Sequence, residues 1–554
     1  MKKINLIFTI VLICSSCSDF LDTENLTNKD SSNFPVSSED MDTELVSAYA
    51  ANTEVWNTAE KKSSPFIVAV EMAEYTLSGG GTGDVTARAM SSYKQDVESM
   101  YSGTWNRLYR GIHRTNFLLE NVEKVLWDSE SQKNEIIGQA YFLRANFYYD
   151  LGRMFENVPV HLSTKAENLP QATPDELYSQ ICSDLYQAVN LMPSTSYQDL
   201  NKNNLGRATK WAAEALLGRV YLFYSGVYQQ ETVTLTDGTQ LDKAKVISLL
   251  QDCIANSGHA LVKDFRNLWP YSYSNKDYKY AVDNKLQWIG EAGDNSETIF
   301  AYKFSNAGQI NLSYCNQPCL FFGLRGQQTM PFGKGWGWVT TNPKLYEEWS
   351  NDDLRKKGTI LNVNDPDENV NYKWNANRCY NETGYFNKKY MPINLKNANG
   401  NLENYSVSLY GAPTHFMYNN TQDLVIIRFA DVLLMAAELG SSQAQQYVDM
   451  IRERAGLPSV PVTLAVIKKE RLHEFAYEGL RFYDLMRWGD METEINRMQK
   501  DVKVKTMGVE KTYNVTFRSE TRGFLPIPEC EIKLSEGMLK QNEGWGTTEA
   551  FYQD

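Results

Sequence analysis

Apolar residues return at spacings of three and four along residues 134–160 (NEIIGQAYFLRANFYYDLGRMFENVPV), which predicts a helix over 134–155. One face carries Ile137, Ala140, Tyr141, Phe147, Tyr148, Leu151 and Phe155, while Ile136, Leu143 and Met154 cover much of the rest. A helix that is apolar nearly all round belongs inside a bundle. Gly138, Ala140 and Ala145 keep parts of its surface low enough for neighbours to approach closely. Val158-Pro159 stops it, because proline disfavours helical dihedrals in the residue before it. Arg144 falls in the middle of the apolar face, where a charge needs a partner, so it reads as a paired structural arginine.

The same alternation of small and large residues recurs at 207–224 (RATKWAAEALLGRVYLFY) and 428–439 (RFADVLLMAAEL). Antiparallel helix pairs with this pattern follow tetratricopeptide (TPR) grammar, here without a clean repeat period. Further helices are predicted at 38–56, 104–125, 174–191, 208–228 and 241–256. The helix at 174–191 opens on Thr173, Pro174 and Glu176, which supply an N-cap, a first-turn proline and a capping-box partner. From 261 to about 420 the helical period fades, and only 341–350 reads as a helix. Aromatics of exposed type accumulate there, among them Trp269, Tyr271, Tyr273, Tyr278, Tyr280, Trp288, Trp336, Trp338 and Trp374. Helical grammar resumes over 424–498, and an irregular tail fills 499–554. The expected fold is mainly α. A TPR-like helical-pair scaffold (an α-α superhelix) from about 39–260 and 421–498 carries a large irregular, loop-rich cap over 261–420, and 39–554 forms one domain. Loops held by a rigid frame are where binding residues concentrate.

Composition adds that the 33 Tyr, 23 Phe and 12 Trp exceed what a helical core needs. A net charge of −13 argues against nucleic acid, which demands basic patches. At the start of the chain, Lys2 and Lys3 precede the apolar run 6–13, and Ser15-Ser16-Cys17 follows it. That run is too short to span a bilayer, which takes roughly 20 residues. It reads as a lipoprotein signal peptide over 1–16, with Cys17 as the lipidated N-terminus and 17–38 as a polar tether from the lipid to the body. Of the remaining cysteines, Cys315 and Cys319 are spaced to bridge a short loop or to stay as buried thiols.

Other motifs carry less chemistry. Ser78-Gly-Gly-Gly-Thr-Gly-Asp84 has no following GK[ST] and no preceding strand, so it reads as a flexible surface loop bordered by Tyr75 and Tyr93 rather than a phosphate cradle. Asp365-Pro-Asp367-Glu-Asn369 begins like a calcium loop but lacks its glycine and its bidentate glutamate, and reads as a solvated acidic turn. The five histidines sit in no triad context and no carboxylate pair stands out, so no catalytic residue, cofactor or metal is expected.

These residues together resemble the SusD/RagB-like outer-membrane nutrient-binding lipoproteins of Bacteroidetes, nearly end to end. The pieces that carry the resemblance are Cys17-Ser-Asp-Phe-Leu-Asp22, Trp105 with Tyr109, Ile112 and Asn116, and Tyr141-Phe-Leu-Arg-Ala145 through Val158-Pro159. Ala208-Thr-Lys-Trp-Ala-Ala213, Arg428-Phe-Ala-Asp-Val-Leu-Leu434, Glu470-Arg471 to Gly489, Phe524-Leu-Pro-Ile-Pro528 and Gln541-Asn542 continue it. The resemblance implies a TPR-like scaffold, a lipid anchor facing the cell exterior, and a lid role over a SusC-like TonB-dependent transporter that receives glycans or, in some members, peptides. No ligand residue transfers with these motifs. A glycan site needs flat aromatic platforms edged by amide, carboxylate or guanidinium groups. Such groups stand among glycines and prolines at Tyr75, Tyr314, Phe321, Phe322, Trp336 and Trp338, with Asn311 and Arg325 as polar partners, and these are the expected oligosaccharide-binding residues.

Overall fold

The computed structural model describes residues 34–54, 63–95, 97–292, 295–305 and 315–546. The leader, Cys17 and most of the tether lie outside the described residues. By Phe34 the chain is already on the scaffold, its ring stacked 6.4 Å from Phe117.

Helices α1 (Ser38–Glu54), α2 (Pro65–Glu71), α3 (Ser102–Asn121), α4 (Glu130–Phe155), α5 (Pro174–Leu191), α6 (Lys210–Tyr228) and α7 (Lys243–Asn256) form the N-terminal half. Their boundaries follow the expected caps. Thr173 accepts from Glu176 N at 3.3 Å while the Glu176 carboxylate takes Thr173 N at 2.8 Å. Central α4 is buried around most of its circumference, and α3 and α5 pack on it. Gly138 lets α4 and the end of α5 approach: a Cβ there would come within 2.6 Å of Met192. Arg144 finds its partner inside this pair, with Nε and Nη2 on Asp184 at 2.8 and 2.7 Å and Nη1 on Asn116 at 2.9 Å.

The stack continues after the insertion. Helix α7 packs on α8 (Phe429–Glu438), which packs on α9 (Ala444–Arg454) and α10 (Leu464–Phe475), and α11 (Arg481–Trp488) returns to α6. The expected helical run over 424–498 begins differently: Leu424–Arg428 is a strand, antiparallel to Thr298–Tyr302. The β-branched run Val425-Ile-Ile427 suits a pleated ribbon better than a helix. This ribbon ties the first part of the insertion to its last, so the superhelix resumes where it was left.

The cap is built around β1 (Thr76–Ser78), β2 (Val339–Thr341), β3 (Ile360–Asn362) and β4 (Tyr385–Asn387), an antiparallel sheet in the order β1-β2-β4-β3. Its aromatics are not on display. Trp269, Tyr271, Tyr278 and Tyr280 are all buried and pack edge-on or tilted against one another and their neighbours, so much of the aromatic content expected at the surface is the cap's own core. The expected tail also gains structure: Val502–Thr506 and Val509–Tyr513 form a hairpin. Its last segment is pinned to the end of α4, Leu525 N donating to Met154 O at 2.7 Å and Asn542 Nδ2 to Phe155 O at 2.8 Å.

Scaffold and cap meet through buried charge. Arg428 reaches Glu297, Glu474 and Glu478 at 2.7, 2.6 and 2.8 Å. Arg355 pairs with Asp353, Glu470 and Glu474 at 2.8, 2.7 and 3.1 Å. Burial pushes the Glu474 carboxyl up, but Arg454, Arg428 and Arg355 overcome it and hold it down at about 2. Such a cluster persists because every carboxylate has a guanidinium.

Candidate ligand-binding face

The glycine segment and the Gly335-Trp-Gly-Trp338 segment, far apart in sequence, lie side by side. Strands β1 and β2 pair with Thr76 opposite Thr341 and Ser78 opposite Val339. Beyond them Gly79 N donates to Trp338 O at 2.5 Å and Gly80 N to Gly337 O at 2.6 Å. A Cβ on Gly79 would stand 2.4 Å from Gly337 O, so only glycine allows this approach. The expected flexible surface loop is therefore a fixed, mostly buried turn, closed by Asp84 Oδ2 accepting from Gly81 N at 2.7 Å and by Arg88 Nη1 donating to Gly81 O at 2.7 Å. Only Thr82 and Gly83 at its tip are exposed.

Against this turn stands a cluster of three rings. Phe321 stacks on both Trp338 and Trp336, with centroids at 4.4 and 4.7 Å and planes 21° and 28° off parallel, and the two indoles meet tilted at 6.2 Å, so the three rings form a triangle. Trp338 and Phe321 are buried and Trp336 is half-buried, so Trp336 is the outer ring. Arg325 runs along the edge of the stack, Nη1 on Asp84 Oδ2 and on Trp336 O at 3.2 Å each, Nε on Asn377 O at 3.2 Å.

The Asn377 contact brings in a third segment. Gln327 exchanges two hydrogen bonds with the backbone of Lys373, at 2.8 and 3.1 Å, laying 373–378 along 325–327. Asn375, Asn377 and Arg378 there take left-handed backbone, which asparagine tolerates and arginine rarely does. Glu382 fixes the turn from below, its Oε1 accepting from the Tyr372 hydroxyl at 2.6 Å and its Oε2 from Asn375 N at 2.9 Å. Burial pushes this carboxyl up against those same hydrogen bonds. The turn carries Trp374, 38% exposed, with Lys505 Nζ 4.6 Å from its ring centre.

The expected site residues divide accordingly. Arg325, Phe321, Trp336 and Trp338 come together, but only Arg325 and Trp336 reach the surface. Tyr75 does not: it is fully buried, its hydroxyl accepting from Tyr477 N at 2.9 Å and its ring edge-on to Tyr477 at 4.8 Å. Phe322 is also in the core, beside Phe66. Helix Gln317–Phe322 turns Phe321 and Phe322 to different neighbours, and neither offers a face to solvent. Asn311 and Tyr314 lie outside the described residues. Trp374, Asn377 and Arg378 were missed as partners; the run Asn375-Ala-Asn-Arg, rich in residues that accept left-handed backbone, was the available signal. Elsewhere Cys315 and Cys319 are separate buried thiols. The acidic turn is not simply solvated: Lys357 pairs with Asp365 and Asp367 at 2.8 and 3.2 Å, and buried Glu368 pairs with Lys388 at 2.5 Å.

At this place a half-buried indole, Trp336, is edged by the Arg325 guanidinium. The sequence model of the SusD family matches residues 296–545 of the chain, and that described as "Starch-binding associating with outer membrane" matches 19–222. The chain belongs to the SusD family. SusD-like protein P2 of Formosa agariphila is 24% identical over 483 residues, spanning 81% of this chain and 82% of the relative. A solved structure titled "Laminarin binding SusD-like protein" is 26% identical with a TM-score of 0.70, covering 92% of this chain and 99% of that one. Surface glycan-binding protein A from Bacteroides thetaiotaomicron, solved in complex with laminarihexaose, shares the fold at 20% identity and a TM-score of 0.70, over 92% and 100% of the two chains. The mainly α, TPR-like architecture is thus that of SusD-like proteins. No helix among the described residues is long and apolar enough to cross a membrane.

Proposed function

We propose that this SusD family member is a cell-surface glycan-binding lipoprotein that captures oligosaccharides on the Trp336 face and delivers them to a SusC-like TonB-dependent transporter. The observation that carries the reading is the half-buried ring Trp336, backed by Phe321 and Trp338 and edged by Arg325. Rings pinned from behind lose little freedom on binding, so a sugar stacked on them retains more of the contact energy. The guanidinium keeps donors for hydroxyls even while it holds Asp84 and Asn377. That relatives with this fold are described as laminarin-binding or solved with laminarihexaose supports the ligand class. Asn311 and Tyr314 remain part of the proposed site by sequence position.

In this reading 1–16 is removed, Cys17 is acylated, 17–38 is the tether and 39–554 is one body held on the outer face of the outer membrane. Exchanging Cys17 for alanine should move the protein from the membrane fraction to the soluble one, and a detergent extract of the native protein should bring down one stoichiometric transporter barrel. Binding is tested directly by affinity electrophoresis of the chain from residue 18 onward on laminarin, starch, xylan, mannan and galactan. Retardation by at least one glycan, abolished in Trp336→Ala, supports the reading; equal mobility of both proteins on every gel refutes it.

A further inference from the structure

A second cavity opens in the cap, away from the Trp336 face. It encloses about 300 Å³ beside the ribbon of Thr298–Tyr302 and Leu424–Arg428. That volume stands at the lower end of small-molecule sites. One wall is Trp288, wedged by Tyr405 edge-on at 5.3 Å and 88° and by Tyr273 at 6.1 Å and 70°. Gly290 lies against the indole, and a Cβ there would come within 2.6 Å of it, so the wall depends on that glycine. Tyr410, the last residue of a short helix Tyr405–Tyr410, also lines the cavity. Phe304 adds a half-buried ring.

Polar groups converge at the same place. Lys303 follows the first ribbon strand and Asp423 precedes the second, and they pair at 2.6 Å with side chains 35% and 32% exposed. Asn295 joins them in the lining. The ion pair has a structural role in closing the end of the ribbon. That role does not account for aromatic side chains of three separate segments, Trp288, Phe304 and Tyr410, converging on the same cavity. Tyr410 lines the cavity while 38% exposed, so its ring can be reached from solvent.

We propose that this cavity is a second saccharide site, which takes one or two sugar units between Trp288 and Tyr410 and holds their hydroxyls on Lys303, Asp423 and Asn295. It deepens the glycan reading of the Trp336 face and rests on it for the ligand class. The two differ in form: the Trp336 face is open and suits the side of a chain, whereas the cavity is bounded and suits a terminal unit. A chain bound at both would be held at two points, and avidity would exceed either affinity alone.

The test uses glucose, N-acetylglucosamine, laminaribiose, maltose and cellobiose as probes, with saturation-transfer NMR and calorimetry on the wild type, Tyr410→Ala, Asp423→Asn and Trp336→Ala. Tyr410 is exposed and its removal should leave the melting temperature unchanged. The expected result is that at least one probe binds the wild type, that Tyr410→Ala and Asp423→Asn each weaken it about tenfold or more, and that Trp336→Ala leaves it within about twofold. A probe whose affinity survives Tyr410→Ala and Asp423→Asn, or falls only in Trp336→Ala, overturns the proposal. So does the absence of any probe binding when longer glycans are still retarded through Trp336. Failure of the longer glycans themselves would instead count against the reading of the Trp336 face, so the two failures are separable.

Discussion

In the scaffold, a buried arginine such as Arg144 meets a carboxylate on the adjoining helix, Asp184 at 2.7 Å, and the aromatic residues around it fill ridges between helices. In the cap, buried cations meet carboxylates too, but more rings crowd each of them: Lys388 Nζ lies 4.2 Å from the Tyr280 ring centre and 5.6 and 5.7 Å from those of Tyr271 and Tyr278, and Lys389 Nζ lies 5.0 Å from that of Trp269. Burial holds the Lys389 ammonium down at about 8 despite Glu478 at 2.6 Å. The difference teaches that aromatic density in a loop-rich segment is first a substitute for the apolar faces that helices would supply. Only where a ring is backed by others and left at the edge, as Trp336 and Trp374 are, does it become surface that a ligand can use.

The largest effect expected from breaking this arrangement lies where the two regions join. Arg428→Met leaves Glu297, Glu474 and Glu478 buried with one cation fewer, which costs about 3 to 5 kcal/mol by the precedent of broken buried pairs. Thermal melts should show a large drop or loss of the cooperative transition; an unchanged melt would mean that the cap is held chiefly by its aromatic contacts. Gly79→Ala should cost about 1 to 3 kcal/mol, because its Cβ meets backbone that cannot yield without parting β1 from β2. It should also weaken glycan binding, since the same turn positions Asp84 against Arg325; a stable variant with intact binding would uncouple the turn from the site.

The smallest effect belongs to the scaffold alone. Burial raises the Glu214 carboxyl from 4.5 to about 8, against the lowering pull of Lys210 at 3.5 Å. A group bound to its proton more tightly in the folded state contributes stability below the unfolded value and loses it as pH rises to the folded one. Glu214→Gln imitates the protonated form. Its melting temperature should match the wild type below about pH 4.5 and exceed it by a growing margin up to about pH 8, with no change in glycan affinity. A constant offset at all pH values would place the carboxylate in water.

The scaffold was legible because its signals are local. The Thr173 capping box, the proline stop at Val158-Pro159 and the unaccompanied Arg144 each report on residues within a few turns or on an adjacent helix. The cap was legible only as a region. Nothing near Tyr75 shows that its hydroxyl is taken by Tyr477, and nothing near Gly79 shows that Gly337 lies against it. Both are contacts of high sequence separation, set by how the sheet closes. The strand Leu424–Arg428 was hidden for the same reason, since its partner Thr298–Tyr302 lies on the far side of the insertion. Trp336 and Arg325, named from their glycine-rich surroundings, do lie in contact, whereas Trp374 was passed over because its exposure follows from the Glu382 clasp rather than from its own neighbours.

The central claim is that the outer ring of the Phe321 stack binds glycan while the inner rings hold the cap together. It is tested most directly by titrating one glycan that retards the wild type into wild type, Trp336→Ala and Trp338→Ala, with a melt of each. The account predicts that Trp336→Ala loses about 2 kcal/mol of binding, roughly thirtyfold in dissociation constant, at a nearly unchanged melting temperature. It predicts that Trp338→Ala melts far lower. Undiminished affinity in Trp336→Ala, or a loss that only tracks a fall in its melting temperature, would contradict it.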